Sequence, residues 1–546
     1  MREKTLYGIL ALVLLAYLPG LWVDVMDVDA SQYASISREM ADSGSFLEVM
    51  HRGENYLDKP PLLFWLSALL FKIFGPGNLV YKLPSFLVTL LGLYSLFRLT
   101  ERWYDRKTGL LAAIILGSSL AWYQFNNDVR TDTLLAGFVV FAVWQLDRFS
   151  SSGKAVHLIA GFGGVALAMM SKGPIGLIAP AMALGGHWLL RREWKQIFRP
   201  VWILGLLLVG FLLLPMFVGL YRQYGWEGPY FFLWKQSFGR ITGENVWSND
   251  AGYFYFTHIF LWSFAPWSLA VIGALYVSIS AWVRNRFQSM STHTEFISLS
   301  GWLLPFAALS LSHYKLPHYV FVCYPFAAMF LAGFLKEQLE QKTKSARWFL
   351  AAFQLFPPVM LLLALAIPTF IFPPLDLRFW GLLLCVVIFW ASMALFWKKH
   401  HGTGLQKWIL ACVLAAVALN FQMNSYFYPN LLRYEAPAVA ARDIRELNIP
   451  IEQFRHAPQA SNIHAFEFYS EHISPYWHGN DIRICKPYYT LCKKNTLDSL
   501  NAEQCNYTIF KTYADYRPTA LRLNFLNRAT RGKAVDTLYL IHFGTR

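Results

Sequence analysis

The chain has 546 residues, of which 55% are hydrophobic and only 15% charged, and its mean hydropathy is +0.34. A soluble domain of this size does not tolerate so apolar a surface, which excludes an ordinary globular enzyme and points to a protein embedded in a bilayer. The formal net charge of +15 lies largely in short loops between apolar runs, as topology and contact with an anionic leaflet require, and no nucleic-acid motif accompanies it.

The first apolar run begins near Leu6 and passes into the acidic stretch VDVMDVDA without a small-residue cleavage site, so it reads as a retained anchor. Asp29 then precedes ASQYASISREM, in which Tyr33, Ile36 and Met40 recur at helical spacing. With Gln32 three residues on, Asp29 is placed to cap that helix. In YLDKPPLLFW, Asp58 and Lys59 stand directly before Pro60 and Pro61, which fix the backbone and favour the start of a helix. The apolar run Leu62–Phe74 that follows is too short to span and is expected at, or dipping into, the outer interface.

Runs long enough to cross roughly 30 Å of hydrocarbon, about thirteen in all, begin near Leu6, Val80, Gly109, Thr133, Ala155, Pro174, Pro200, Gly252, Phe296, His318, Arg347, Arg378 and Lys407. If each spans, Arg2, Arg98, Arg102, Arg106, Arg148, Lys154, Arg191, Arg192, Arg284, Lys336, Lys342, Lys398 and Lys407 all fall on one side. The positive-inside rule makes that side cytoplasmic. The N-terminus is then inside, and the tail from about residue 426 is outside. The expectation is an all-α polytopic membrane domain over residues 1–425 and a small external α/β domain over residues 426–546.

That tail is polar, with a helical stretch near Ala436–Leu447 and short alternating runs such as YTIFKTY and TLYLIHF. It carries no catalytic motif, and no internal repeat is visible along the chain. Cys323, Cys385 and Cys412 lie in expected spans. Cys485, Cys492 and Cys505 lie in the tail, where one disulfide with one cysteine left over can form; the sequence does not choose the pair.

With this topology Asp24, Asp27, Asp29, Asp58, Lys59, Asp128, Arg130, Asp132, Lys172, Lys235, Arg240, His313, Lys315 and His318 come out at the external edge. Any one of them is explained by interfacial anchoring. Together, Lys59, Lys172, Arg240 and Lys315 would form a phosphate site beside lipid, because a phosphate needs fixed cationic donors and a lipid tail needs apolar walls.

The ordered motifs DVDASQYASISREMADSG, YLDKPPLLFW, VRTDTLL, SKGPIG and SHYKLPHYV resemble those of bacterial aminoarabinose transferases and the related protein O-mannosyltransferases, membrane glycosyltransferases of the GT-C class. The resemblance covers the membrane region and is much weaker in the tail. It implies that Asp29 is the catalytic acid of the first external loop and that Lys59, Arg240 and Tyr319 bind the donor phosphate. Lys172 and Asp132 match further positions, the latter orienting the sugar, with a structural ion pair as the other reading of both. Where the family commonly has Glu after the catalytic Asp this chain has Ala30, so the role of that second carboxylate is either absent or moved to Asp27. Asp58 matches a zinc-ligand position, but Ser237 stands where the partner histidine is expected, so neither a metal nor another cofactor is implied.

What the resemblance implies is a bacterial inner-membrane enzyme that moves a sugar, with inversion, from a polyprenyl phosphate to a periplasmic acceptor. Lipid A or a similar glycolipid is favoured over the Ser/Thr hydroxyls of exported proteins. A transporter of lipid-linked sugars would instead place its ionisable groups at mid-membrane between repeated halves.

Overall fold

The computed structural model describes residues 1–236, 251–286, 295–341, 356–372, 404–457, 462–478 and 485–544, with single positions between them. The expected span beginning near Arg378 lies almost wholly outside these residues, as does the start of the one near Arg347, whose described part is helical over Phe356–Ala366; Cys385, Ser237 and Arg240 also lie outside them. Among the described residues the architecture is a helical bundle with a two-stranded hairpin and a small three-stranded sheet. Among the described residues, seven helices are long and apolar enough to cross a membrane, or up to nine if two bent pairs each count as one span.

The first anchor is helical over α1 (Glu3–Leu15) and tightens into a 3₁₀ turn over Leu18–Trp22 at Pro19. Helix α2 (Asp29–Ser43) ends at Gly44, whose φ of 72° is a left-handed cap. The chain turns back through a hairpin of β1 (Met50–His51) and β2 (Glu54–Asn55). Its two turn residues, Arg52 and Gly53, both have positive φ, as a two-residue hairpin loop requires. Glu39 on α2 stabilises that turn by accepting from the Arg52 and Gly53 amides at 2.7 and 2.8 Å. Helix α3 (Leu62–Phe74) starts directly after Pro61, so the short apolar run is a helix of 13 residues.

Helix α4 (Asn78–Trp103) is a long span, and α5 (Arg106–Gly117) and α6 (Leu120–Asn127) form one bent by 56°. Helices α7 (Thr131–Ser152) and α8 (Ala155–Lys172) form an antiparallel hairpin. Small residues let these spans approach closely: a Cβ on Gly137 would come within 2.7 Å of the Val88 carbonyl oxygen on α4. Helix α9 (Ile175–Leu190) follows immediately. The span Trp194–Tyr224 keeps an exposed apolar face including Ile203, Leu204, Leu207 and Phe211, as a lipid-facing helix must. By contrast Pro317–Leu339 is almost wholly buried, with Phe321 stacked on Trp122.

In the tail, β3 (Tyr488–Cys492), β4 (Asn506–Asp515) and β5 (Asp536–Gly544) make an antiparallel sheet in the order β3-β5-β4. YTIFKTY and TLYLIHF are strands β4 and β5. The helix expected near Ala436–Leu447 runs over Ala436–Glu446, with Ala440, Ala441 and Ile444 packed on Leu538 and Leu540 of the sheet. Cys485 pairs with Cys505, and Cys492 is a buried free thiol. The tail is fastened to the first loop. Arg38 of α2 donates to the Glu467 carbonyl oxygen at 2.5 Å, and Arg442 pairs with Asp24 at 2.6 Å. Helix Ile463–Ser470 thus packs on α2 beside α3, with Phe468 against Phe71, and the two together bury most of α2.

Candidate active site

Asp29 occupies the first turn of α2, yet its side chain caps nothing; the cap position is Val28, without a side-chain hydrogen bond. The capping expectation is therefore corrected. The Asp29 carboxylate is taken instead by Arg130, 101 residues further along the chain. Arg130 lies just before α7 and also donates from Nε to Asp128 at 3.0 Å, with Nη2 in ion-pair contact with the same oxygen at 2.9 Å. Burial works against the charge of Arg130, but Asp128 and Asp29 outweigh it and raise its pKa above the ordinary arginine value.

The Tyr33 and Tyr56 phenols share this environment. Burial holds both well above the usual tyrosine range. The charges acting on Tyr33 are Asp29, Arg130 and Asp58, and those on Tyr56 are Asp58 and Asp29. Lys59 is largely buried and pairs with Asp58 at 2.5 Å, while the Gln236 amide donates to the Asp58 carbonyl oxygen. One Asp58 carboxylate oxygen and the Tyr56 hydroxyl are buried without a hydrogen-bond partner among the described residues. Beside Lys59 lies a small recess with mostly apolar walls, Leu47, Val49, Leu57, Met216, Leu220 and Phe232, joined by Tyr56 and Gln223.

A third ionic group is built by SKGPIG. Gly173 has φ 89° and ψ −159°, a backbone conformation essentially restricted to glycine. It stops α8, and Pro174 starts α9. Lys172 is thereby held as the last residue of α8, where it pairs with the buried Asp132 in the first turn of α7. His318 Nε2 lies 4.0 Å from the same carboxylate, and the Lys172 ammonium sits 4.5 Å from the centre of the Tyr319 ring. The antiparallel run of α7 and α8 puts Asp132 and Lys172 at the same end of the bundle as Arg130. Helix α3, which Lys59 precedes, packs on α2 and touches α8. Asp29, Asp58, Lys59, Asp132, Lys172 and Tyr319 therefore gather at one end.

Two candidates point elsewhere. Lys315 donates to the carbonyl oxygens of Ala251 and Gly252 at 2.7 and 3.3 Å. Asp27 turns toward the tail, where it is fully buried 3.4 Å from Arg517 and where the Asn462 amide, suitably oriented, reaches it at 2.8 Å. Burial pushes its pKa up to about 6, although Arg517 opposes the shift, and the buried carboxyls of Glu435 and Asp515 are raised beside it. Among the described residues no group of three or more His, Cys, Asp or Glu is arranged to hold a metal ion. Sequence reading places Arg130 only among the edge charges and gives Tyr56 no role. Their positions two residues before Asp132 and three before Lys59 were the available signals.

A family model described as dolichyl-phosphate-mannose-protein mannosyltransferase matches residues 58–218. Among curated relatives, an undecaprenyl phosphate-alpha-4-amino-4-deoxy-L-arabinose arabinosyl transferase of Edwardsiella ictaluri is 27% identical over 63% of this chain and 61% of its own length. One from Pseudomonas aeruginosa is 26% identical over 59% and 56%. The chain thus spans about three fifths of the length of the curated transferases it matches. An uncharacterized protein of Aquifex aeolicus aligns over 86% of both chains at 24% identity. The crystal structure of ArnT from Cupriavidus metallidurans bound to undecaprenyl phosphate superposes with a TM-score of 0.74, covering 99% of this chain and 98% of that one at 16% identity. Its apo state gives a TM-score of 0.69 at 18% identity, over 93% and 96%. The resemblance drawn from the motifs is borne out, and the fold is that of the ArnT structures.

Proposed function

We propose that this chain is an integral-membrane glycosyltransferase that moves a sugar from undecaprenyl phosphate, or a similar polyprenyl phosphate, to an acceptor at the periplasmic face of a bacterial inner membrane. The observation that carries it is Lys59, paired with Asp58 at a mostly apolar recess, with Asp58 and the arginine-held Asp29 both acting on Tyr33 and Tyr56. A donor that is half phosphate and half hydrocarbon fits such a junction. The names of the curated relatives and the motif resemblance support the same donor class.

The donor phosphate docks at Lys59, with Lys172, Tyr319 and Arg240 as further contacts. These groups stabilise the charge that builds on the leaving phosphate, the place where fixed donors accelerate transfer most. An acceptor oxygen attacks the anomeric carbon as the bond from that carbon to the phosphate oxygen breaks, so the configuration inverts. Asp29 orients the acceptor or takes its proton, and Asp132 holds Lys172 while facing the sugar. The catalytic part is residues 1–425 and the tail 426–546 is periplasmic. Lipid A is the favoured acceptor. Protein hydroxyls are the second reading, supported by the family model over residues 58–218.

The test is transfer by the purified protein in liposomes, with an undecaprenyl-phosphate sugar as donor and lipid A or a Ser/Thr peptide as acceptor. A sugar mass increment on lipid A with release of undecaprenyl phosphate is the expected result. An increment on the peptide alone would select the second reading. No increment on either acceptor, with the labelled lipid moved across the bilayer, would replace the enzyme by a transporter.

A further inference from the structure

Asp29 reaches its position on a helix that begins in a loop, with no capping bond of its own and with its side chain 38% exposed. A carboxylate on such a site samples several rotamers unless something holds it. The holder in this structure is Arg130. Its guanidinium is largely buried and is itself fixed on one oxygen of Asp128 by a hydrogen bond from Nε and an ion-pair contact from Nη2, and the Asp128 side chain is 9% exposed. The remaining Nη1 is directed at Oδ2 of Asp29 and leaves Oδ1 outside the pair. Arg130 is also the residue at the N-terminal boundary of α7, two positions from Asp132, whose carboxylate holds Lys172. One short segment, residues 129–132, therefore holds the acid on α2 through a cation and the lysine on α8 through an anion.

We infer that Arg130 is a positioning residue for transfer: by holding one oxygen of Asp29 it aims the other at the acceptor, while Asp132 in the same segment sets the donor-side Lys172. The inference rests on the glycosyl-transfer reading above. It requires that Arg130 act through Asp29, so the two side chains must be energetically coupled in turnover but not in donor binding.

The experiment is single-turnover transfer and donor binding on Arg130→Gln, Arg130→Lys, Asp29→Asn and the double variant Asp29→Asn/Arg130→Gln. Arg130→Gln should lose at least tenfold in the transfer rate with donor affinity within about threefold of the unaltered protein. Arg130→Lys, which keeps the cation and so protects the fold but lacks the planar fork, should recover part of the rate. On the Asp29→Asn background, Arg130→Gln should cost less than about threefold more. Fully additive losses, a parallel collapse of donor binding in both Arg130 variants, or an unchanged rate in Arg130→Gln would each overturn the inference. Absence of transfer by the unaltered protein would instead defeat the proposed function, so the two failures are distinct.

Discussion

At the scale of single residues, Asp29 and Lys59 are expected to separate chemistry from binding. Lys59→Ala leaves a donor phosphate one charged partner short next to apolar walls, and a charge-assisted contact of this kind contributes on the order of 2 kcal/mol. Titration with undecaprenyl phosphate should show donor affinity falling by roughly that amount; an unchanged affinity would move the phosphate away from Lys59. Asp29→Asn removes the proton acceptor while keeping the side chain's shape. Because Asp29 caps nothing and is partly exposed, and because Arg130 keeps Asp128 as a partner, the substitution should cost little stability. Transfer should collapse with the thermal midpoint little changed, and near-normal turnover would leave Asp132 as the next acid to test. The residue types at these positions were legible because ionisable groups beside apolar runs are conspicuous. That Arg130 holds Asp29 was not legible, since the partners are 101 residues apart and only the packing of α2 against the α6–α7 turn brings them together.

At the scale of elements, the turn between α8 and α9 and the contact between first loop and tail each carry a prediction. Gly173→Ala forces a Cβ into a conformation that L-residues avoid, at a cost of about 1–3 kcal/mol, and relief of that strain would shift Lys172 away from Asp132. The thermal midpoint and the transfer rate should both fall; a fully active variant would show that the placement of Lys172 is not needed. The second element is the buried carboxyl cluster. Asp27 and Asp515 both have pKa values raised to about 6, from burial first, against an ordinary aspartate value near 3.8. A carboxyl raised in the folded state favours its protonated form, so its stabilisation is fully present below about pH 4 and is lost as pH rises through about 6. Asp27→Asn stays neutral throughout. Its thermal midpoint should match the unaltered protein near pH 4 and exceed it toward pH 7. A wild-type advantage at pH 7 would mean that the Arg517 ion pair outweighs burial.

At the scale of the whole molecule, orientation is the open variable, and the charge asymmetry of the loops sets the expectation. A periplasm-dependent reporter fused after Tyr426 should be active and one fused near Lys342 inactive; the reverse pattern would put every site residue on the wrong face. The disulfide between Cys485 and Cys505 agrees with an oxidising compartment for the tail. Closing a loop over that 20-residue separation contributes about 3 kcal/mol in the chain-entropy view. Cys485→Ser should therefore loosen the tail, read as faster proteolysis within residues 426–546, while the membrane part stays protected. Equal sensitivity throughout the chain would show that tail and bundle unfold as one unit.

The sequence by itself determined the membrane class, most span positions, the short helix Leu62–Phe74, one tail helix and two of the three tail strands, and the motif set that carries the family resemblance. These are properties of windows of about 20 residues or fewer, because hydrocarbon thickness, helical period and strand alternation act locally. Tertiary structure alone decided that Arg130 takes Asp29, that Asp27 turns from the site to Arg517, that Lys315 binds loop carbonyls, and that Cys485 chooses Cys505 over Cys492. Each is a choice among several chemically equivalent partners at long sequence separation. Charge and hydrogen-bonding capacity leave such choices degenerate, and only the close approach of packed helices and strands selects one.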